Sequence, residues 1–132
     1  DYKNVARDVA RELQERIDAA IDAGITREQI IVDPGLGFAK DAEQNWQLVA
    51  NLNELEKLGF PILVGASRKR FIASALDKED PKSVSNGRRD MATAVLTALL
   101  LQRSLWGVRV HDVQATTDAI ALVSALRNAE AE

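Results

Sequence analysis

Residues 30–40 read IIVDPGLGFAK, an apolar start followed by a turn sequence. Its β-branched start predicts a short buried strand at 30–32, and the Asp-Pro-Gly sequence that follows can neither extend a strand nor open a helix. Two more short strands are predicted at 62–64 and 107–111, with helical patterns between the strands. Alternating strands and helices require parallel strands covered by helices, so we predict an α/β protein.

The helical segments follow from apolar spacings of three and four residues. Helices are predicted over 4–23, from Asp41 to Leu55, over 69–76, over 91–105 with Asp90 as the cap, and around 119–126. Thr26 and Gln29 have the spacing of a capping box, and residues 77–89 are predicted to form a surface loop. A self-standing doubly wound domain of this length has about five strands. Three strands with two exposed edges therefore indicate a slice of a larger α/β structure.

The composition is that of one ordinary globular domain over residues 1–132. Apolar residues make up 46% and charged residues 28% of the chain, and the net charge is −3. Because the charges are interspersed, the sequence predicts no binding to nucleic acid, and no apolar run approaches the ~20 residues of a membrane span. Cysteine is absent and no signal-peptide pattern is present, which predicts a cytoplasmic protein. Met91 is the only methionine, so we expect the chain to be processed, engineered or a fragment.

The first predicted strand ends in a carboxylate followed by glycines. Asp33 can accept hydrogen bonds from paired ring N–H and amino groups of a heterocycle, and Gly35 and Gly37 allow a flat ligand to approach the backbone. The same residues also fit an ordinary turn with a capping aspartate. This segment alone leaves both interpretations open.

The other two predicted strands end in cationic side chains. The second strand runs into residues 65–71, GASRKRF, whose basic residues sit at a helix N-terminus, where an anion or electron-rich ligand relieves their repulsion with the helix dipole. In the third strand, alternation places Arg109 and His111 on one face, which is hard to explain as packing. A guanidinium can stack on a ring and grip phosphate, and an imidazole can donate to the same phosphate. Solvent-facing arginines and a satisfied structural histidine are the alternatives.

Together these segments resemble the dihydropteroate synthase family. The stretches that carry the resemblance are IVDPGLGFAK at 31–40, LVGASRK at 63–69 and VRVHDV at 108–113, and RDMATA at 89–94 also fits. The family fold is an eight-stranded (β/α) TIM barrel of roughly 250 residues. The resemblance therefore implies that this chain is the C-terminal part of a barrel, its strands six to eight.

The resemblance also implies a pterin site. Its residues would be Asp33 against the donor edge of the ring, Gly37, Phe38, Lys69, and Arg109 stacked over the ring. Arg109 and His111 would hold the pyrophosphate. Together with Lys69, they would be the catalytic residues.

A para-aminobenzoate site is implied next to the pterin site. It would be shaped by Phe38, Ser67, Lys69 and Arg70. Some family members carry a small hydroxyl residue after the motif lysine, where this chain has Arg70, which leaves open whether the side chain or the backbone N–H of this residue meets the carboxylate.

The implied reaction forms a C–N bond. Pyrophosphate leaves a hydroxymethyl-dihydropterin, and the arylamine nitrogen attacks the electron-deficient methylene. Mg²⁺ is the expected cofactor, helping Arg109 and His111 to stabilise charge on the leaving group. In the family its asparagine ligand lies on the first strand, so this chain is expected to supply no metal ligand.

Because the early strands also carry a second pterin-binding aspartate and an asparagine, we expect these 132 residues alone to have negligible synthase activity. One alternative is a related pterin-binding methyltransferase, which the combination of 67–69 with 109–111 argues against. Another is a non-catalytic half-barrel that associates with itself or a partner. For the complete protein, a homodimer formed through late barrel helices is expected.

Overall fold

The computed structural model describes residues 4–131. Within this range, helices surround a small parallel sheet. In chain order the elements are α1 (Val5–Asp22), a 3-10 turn (Arg27–Gln29), α2 (Ala42–Ala50), α3 (Asn53–Glu56), β1 (Leu63–Val64), α4 (Arg70–Leu76), a second 3-10 turn (Pro81–Ser83), α5 (Asn86–Leu100), β2 (Gly107–Val108) and α6 (Val113–Glu130). The predicted α/β class and the alternation of elements are confirmed.

The sheet is smaller than the predicted three strands. β1 and β2 pair in parallel, with Leu63 opposite Gly107 and Val64 opposite Val108. The predicted strand at 30–32 contributes only an isolated parallel bridge between Val32 and Ile62.

Two prolines explain why the first segment forms only a bridge. Val32 donates its N–H to the Pro61 carbonyl and accepts from the Leu63 N–H, each at 2.9 Å. In a parallel ladder the next donors on either side of this bridge belong to Pro61 and Pro34, which have no N–H. The ladder therefore stops after one residue.

The strand predicted at 107–111 also ends early, at Val108. Arg109 still donates its N–H to the Val64 carbonyl at 3.0 Å. The N–H of His111, which would carry the ladder onward, donates instead to Ser67 Oγ at 3.2 Å. A side chain thus replaces the next backbone acceptor and ends the strand.

Helix α1 agrees with its predicted pattern except at its last turn. Asn4 caps it by accepting from the Arg7 N–H, and Gly24 follows with φ +99°. The stripe of Val5, Val9 and Ile17 is buried, as expected, whereas Ile21 is 42% exposed.

The core lies between the sheet and the first helices. Its largest fully buried side chains are Leu36, Leu48, Leu52, Leu55, Ile62 and Phe71. Trp46 of α2 lies at the rim of the core, where its ring meets the edge of Phe71 at 5.1 Å between centroids.

Helix α5 starts at Asn86, five residues before its predicted start at residue 91, so the predicted loop at 77–89 is shorter than expected. The helix ends at Leu100. Ser85, rather than Asp90, is the N-cap and accepts from the Arg88 N–H at 3.2 Å. Asp90 is instead engaged by Arg68, as described below. The first turn of the helix is polar, which is why apolar periodicity alone missed it.

Much apolar surface stays exposed on the last two helices. Side chains with more than half of their area accessible are Met91, Val95 and Leu99 on α5, Trp106 before β2, and Val113, Leu122 and Leu126 on α6. No helix within residues 4–131 is long and apolar enough to cross a membrane.

Candidate active site

The carboxyl ends of the parallel segments meet at one edge of the sheet, and Asp33 and Arg109 come together there. Asp33 Oδ1 accepts the Gly35 N–H at 2.8 Å, while Oδ2 lies 3.6 Å from Arg109 Nη1. The Arg109 side chain is 61% exposed, so this ion pair is weak and screened by solvent. Both side chains are therefore available to a ligand.

Gly65 allows the guanidinium of Arg109 to lie against the end of β1. A Cβ at position 65 would stand 2.5 Å from Arg109 Nη2 and 3.0 Å from Cζ. Any larger residue would push the guanidinium away from the position in which it faces Asp33. Gly65 thus leaves the room in which the Arg109 guanidinium lies.

Lys69 crosses the loop that follows Asp33. Its Nζ lies 4.7 Å from the centroid of the Phe38 ring, and Phe38 itself is 63% exposed. A Cβ at Gly37, where φ is +84°, would come within 3.0 Å of Lys69 Cδ. Gly37 therefore serves both the left-handed turn and the passage of the lysine stem.

Two polar side chains, those of Lys40 and Asn45, hold the loop at residues 35–38 by hydrogen bonds to its backbone. Lys40 Nζ donates to the carbonyls of Gly35 and Phe38, both at 2.9 Å. Burial lowers the pKa of Lys40, and the carboxylates of Glu12 and Asp33 oppose that shift.

Asn45 is the second of these supports and is only 3% exposed. Its Oδ1 accepts the Gly37 N–H at 2.9 Å, and its Nδ2 donates to the Asp41 carbonyl at 2.9 Å. The amide thereby fixes the turn glycine to the N-terminus of α2. The sequence offered one signal for it, because Asn45 is a polar residue at a core-facing position of a helix, three residues before Leu48.

Ser67 and His111 are joined by two contacts. Ser67 Oγ lies 2.8 Å from His111 Nδ1 and also accepts the His111 N–H. Ser67 is 7% exposed, whereas His111 is exposed. The serine thus ties the end of β2 to the turn that follows β1.

Arg68 has φ +60°, a left-handed conformation that costs a residue with a side chain about 1–2 kcal/mol. A bidentate contact holds it: Nε and Nη2 donate to the two carboxylate oxygens of Asp90 at 2.8 and 2.9 Å. This contact holds the pKa of the Asp90 carboxyl below its usual value and raises the pKa of the Arg68 guanidinium.

Arg89 fastens the same turn from its neighbouring position on α5. Its guanidinium donates to the carbonyls of Arg68, Pro81 and Val84 at 3.0, 2.9 and 3.0 Å. The start of α5 therefore clamps two backbone segments: the turn at residue 68 and the second 3-10 turn. The sequence did not reveal this clamp, because its members lie 21 and 22 residues apart from Arg68.

Two cavities border Lys69. One of about 250 Å³ is lined by Gly65, Ser67, Lys69, Arg109, Val110 and His111. The other, of about 630 Å³, lies between the N-termini of α2 and α4 and includes Lys40, Arg68 and the exposed Arg70 in its wall. Both are rich in cations, which suits anionic or electron-rich ligands.

The carboxylates of the described residues do not assemble into a metal site. Within residues 4–131 there is no group of three or more His, Cys, Asp or Glu side chains that could hold a metal ion. Asp33, the acidic residue at the sheet edge, is engaged by Gly35 and Arg109. These residues do not fit a Mg²⁺ site by themselves.

The residues predicted from the sequence thus fall into adjoining groups at one sheet edge. Asp33 faces Arg109, Lys69 lies across Gly37 and Phe38, and Ser67 meets His111. Arg70 lies on the far side of Lys69, in the larger cavity.

Cations and one carboxylate around a cavity at the carboxyl ends of parallel strands are typical of α/β proteins that bind planar or anionic ligands. A profile described as "Pterin binding enzyme" matches residues 1–111. The chain belongs to the family of pterin binding enzymes.

Curated relatives of the chain include dihydropteroate synthases. The enzyme of Mycobacterium leprae is 44% identical over 125 residues, covering 95% of this chain and 44% of the relative. The enzyme of Streptococcus pyogenes serotype M1 is 42% identical, covering 95% and 46%. The chain spans about half the length of the curated relatives it matches.

Solved structures give the same result. The dihydropteroate synthase of Xanthomonas albilineans in complex with 7,8-dihydropteroate superposes with a TM-score of 0.87 and 38% identity, over 96% of this chain and 47% of that chain. The Yersinia pestis enzyme in complex with a sulfonamide drug superposes with a TM-score of 0.85 and 32% identity, over 98% and 45%. The α/β fold of residues 4–131 is therefore that of part of a dihydropteroate synthase.

Proposed function

We propose that this chain is the C-terminal part of a dihydropteroate synthase, contributing strands six to eight of a (β/α)₈ barrel and one partial pterin-binding domain over residues 1–132. The observation that carries the proposal is the meeting of Asp33 and Arg109 at the sheet edge beside Lys69, in a chain that superposes on such enzymes. A cytoplasmic location and, for the complete protein, a homodimer formed through late barrel helices remain predictions.

The pterin would bind between Asp33 and Arg109. A carboxylate has about four acceptor sites. Asp33 uses one of them for the Gly35 N–H, so it can still accept two parallel hydrogen bonds from N–H groups of the ring. The exposed guanidinium of Arg109 can leave its weak contact with Asp33 and stack over the same ring. Gly37 leaves the backbone open to a flat ligand.

The leaving pyrophosphate would lie in the cavity of about 250 Å³, whose lining includes Arg109, His111 and Lys69. As the C–O bond to pyrophosphate breaks, negative charge grows on the leaving oxygen, and the cations stabilise it. The arylamine nitrogen forms the new C–N bond at the methylene carbon and then loses a proton to solvent. Mg²⁺, when bound by the complete enzyme, would neutralise further charge on the pyrophosphate.

Para-aminobenzoate would enter beside Phe38 and Lys69. The exposed Phe38 ring offers an apolar face to the aromatic ring, and Lys69 and Arg70 offer charge to the carboxylate. The hydroxyl of Ser67, predicted for this site, points to His111 in the free chain. Its part in the para-aminobenzoate site stays a prediction.

The test is calorimetric titration of the purified chain with a non-hydrolysable pterin pyrophosphate analogue, with and without Mg²⁺. We expect Asp33→Asn to weaken binding by tenfold or more, because it replaces an acceptor with an amide donor; tenfold corresponds to about 1.4 kcal/mol. Asp22→Asn, at the exposed end of α1, is the matched control and should bind as the parent does. Saturable binding that Asp33→Asn leaves unchanged would contradict the assigned pterin site.

A further inference from the structure

The pair formed by Ser67 and His111 determines which ring nitrogen carries a proton. Ser67 Oγ is within hydrogen-bond distance of two His111 atoms, the backbone N at 3.2 Å and the ring Nδ1 at 2.8 Å. A backbone N–H can only donate, so Oγ accepts there with one lone pair. The hydroxyl proton remains to be placed.

That proton has one destination in the described part of the chain. Among residues 4–131, His111 Nδ1 is the only acceptor found for the Ser67 hydroxyl, and Ser67 is 7% exposed. If Nδ1 carried the ring proton and donated to Oγ, the hydroxyl would have no acceptor among the described residues, which is unfavourable for a side chain with so little exposure. In the neutral ring, Nδ1 is therefore the acceptor and Nε2 carries the proton.

The other ring nitrogen, Nε2, then carries an N–H that can donate a hydrogen bond to a ligand. Nε2 has no partner among residues 4–131, and His111 lines the cavity of about 250 Å³ together with Lys69 and Arg109. Both of those neighbours are donors without acceptor capacity. Donor groups from all three side chains suit an anion and exclude a cation or a hydrogen-bond donor.

Charged side chains of both signs lie around the His111 ring. Arg109 and Lys69 line the same cavity, Asp90 is held by Arg68, and Asp112 caps α6 by accepting the Ala115 N–H at 3.0 Å. No described carboxylate hydrogen-bonds the ring, so Ser67 is the side chain that orients it.

We propose that Ser67 is a positioning residue: it locks neutral His111 in the Nε2–H tautomer, so that the ring presents a donor to an anionic group of the ligand. That the anion is the pyrophosphate of a pterin substrate rests on the proposed function. The tautomer itself follows from the free chain alone.

Nuclear magnetic resonance on the intact, uniformly ¹⁵N-labelled chain tests the tautomer directly, because His111 is the only histidine. A long-range ¹⁵N–¹H correlation spectrum, recorded at alkaline pH well above the ordinary histidine pKa of about 6.5, distinguishes a protonated from an unprotonated ring nitrogen. We expect Nδ1 to have the shift of an unprotonated nitrogen and Nε2 that of a protonated one. A spectrum dominated by the Nδ1–H form overturns the proposal without any variant being made.

Variants separate positioning from folding. Ser67→Ala should lower the ratio of Nε2–H to Nδ1–H by about fivefold to tenfold, the factor supplied by one ordinary hydrogen bond, and Ser67→Thr should restore it. Ser83→Ala, which removes a hydroxyl bonded to the Asp80 carbonyl, is the control and should leave the ring unchanged. A folded Ser67→Ala chain with an unaltered ratio overturns the proposal.

Titration with inorganic pyrophosphate separates this proposal from the proposed function. Binding should move the Nε2 resonance of the parent and be weaker in Ser67→Ala. If the Nε2–H tautomer is found but pyrophosphate moves no resonance, the locked ring stands and the assigned pyrophosphate site is wrong. If pyrophosphate binds equally well to both chains, Ser67 has no positioning role for the anion.

Discussion

At the scale of single residues, the position of the Arg109 guanidinium depends on the lack of a Cβ at Gly65. Arg109 fills the space that this Cβ would take, with Nη2 only 2.5 Å from its position. We expect Gly65→Ala to displace the guanidinium, which can swing into solvent, and not to disrupt the fold. Binding of the pterin pyrophosphate analogue should weaken by roughly tenfold, about 1.4 kcal/mol.

Calorimetry for affinity and urea unfolding for stability check this expectation together. Gly87→Ala is the matched control, because its new Cβ would meet only Ser85 Oγ at 4.0 Å, and alanine favours the helix there. The control should bind as the parent does. A large loss of stability in Gly65→Ala would show that the glycine serves the fold instead.

The residue types at the strand ends could be predicted from the sequence, but their pairing could not. Alternation placed Arg109 and His111 on one face, and both are exposed while Val108 and Val110 are half-buried. The contact of Ser67 with His111 spans 44 residues, and its existence depends on the register between β1 and β2. Periodicity carries no information about that register when each strand has two residues.

At the scale of elements, the start of α5 acts on the site from a distance. Asp90 grips Arg68 and Arg89 binds the Arg68 carbonyl, so the left-handed residue before Lys69 is held by two adjacent helix positions. Apolar patterning placed Asp90 at the cap of the helix, because a carboxylate before an apolar run is a common N-terminal signal. The polar first turn from Asn86 hid the true start, and only the fold shows that Asp90 is needed elsewhere.

We expect Asp90→Asn to lower the stability of the chain and to speed amide exchange in the turn at residues 66–69. The Asp90 carboxyl has its pKa lowered by Arg68 in the folded chain. Such a group contributes stability that is fully present above the ordinary carboxyl pKa of about 3.9 and is lost as the pH falls through the folded pKa. The gap in urea midpoint between parent and variant should therefore be widest near neutral pH and close in acid.

Asp118→Asn serves as the control for this element. Asp118 is exposed and accepts only an i, i+4 bond from Gln114 at 2.9 Å, so its loss should change the midpoint little at any pH. A gap for Asp90→Asn that persists unchanged into acid would contradict the role of the ion pair.

At the scale of the whole molecule, the sheet and the last two helices are only partly covered. Val32 pairs on one side alone, and within residues 4–131 β2 has no neighbour beyond β1. A cavity of about 540 Å³ opens beside β2 between α5 and α6, with Trp106, Val113 and Ile120 in its wall. Alternation and strand count predicted the slice of a larger α/β structure, but the extent of each edge depended on two prolines and on Ser67.

The proposed barrel predicts that its other strands pack against the open side of β2. We expect this chain to show negligible synthase turnover by itself and to gain turnover when refolded with the part of the Xanthomonas albilineans enzyme that it does not cover.

Val113→Asp, which puts a charge into the 540 Å³ cavity, should reduce that turnover tenfold or more, since an unpaired charge is costly to bury. Leu122→Asp, on an α6 residue that is 74% exposed and outside that cavity, should leave it unchanged. Turnover is measured as the amount of dihydropteroate formed. An equal loss of turnover in both variants would contradict packing against the open side of β2. Steady turnover by the chain alone would contradict the expectation that it is inactive by itself.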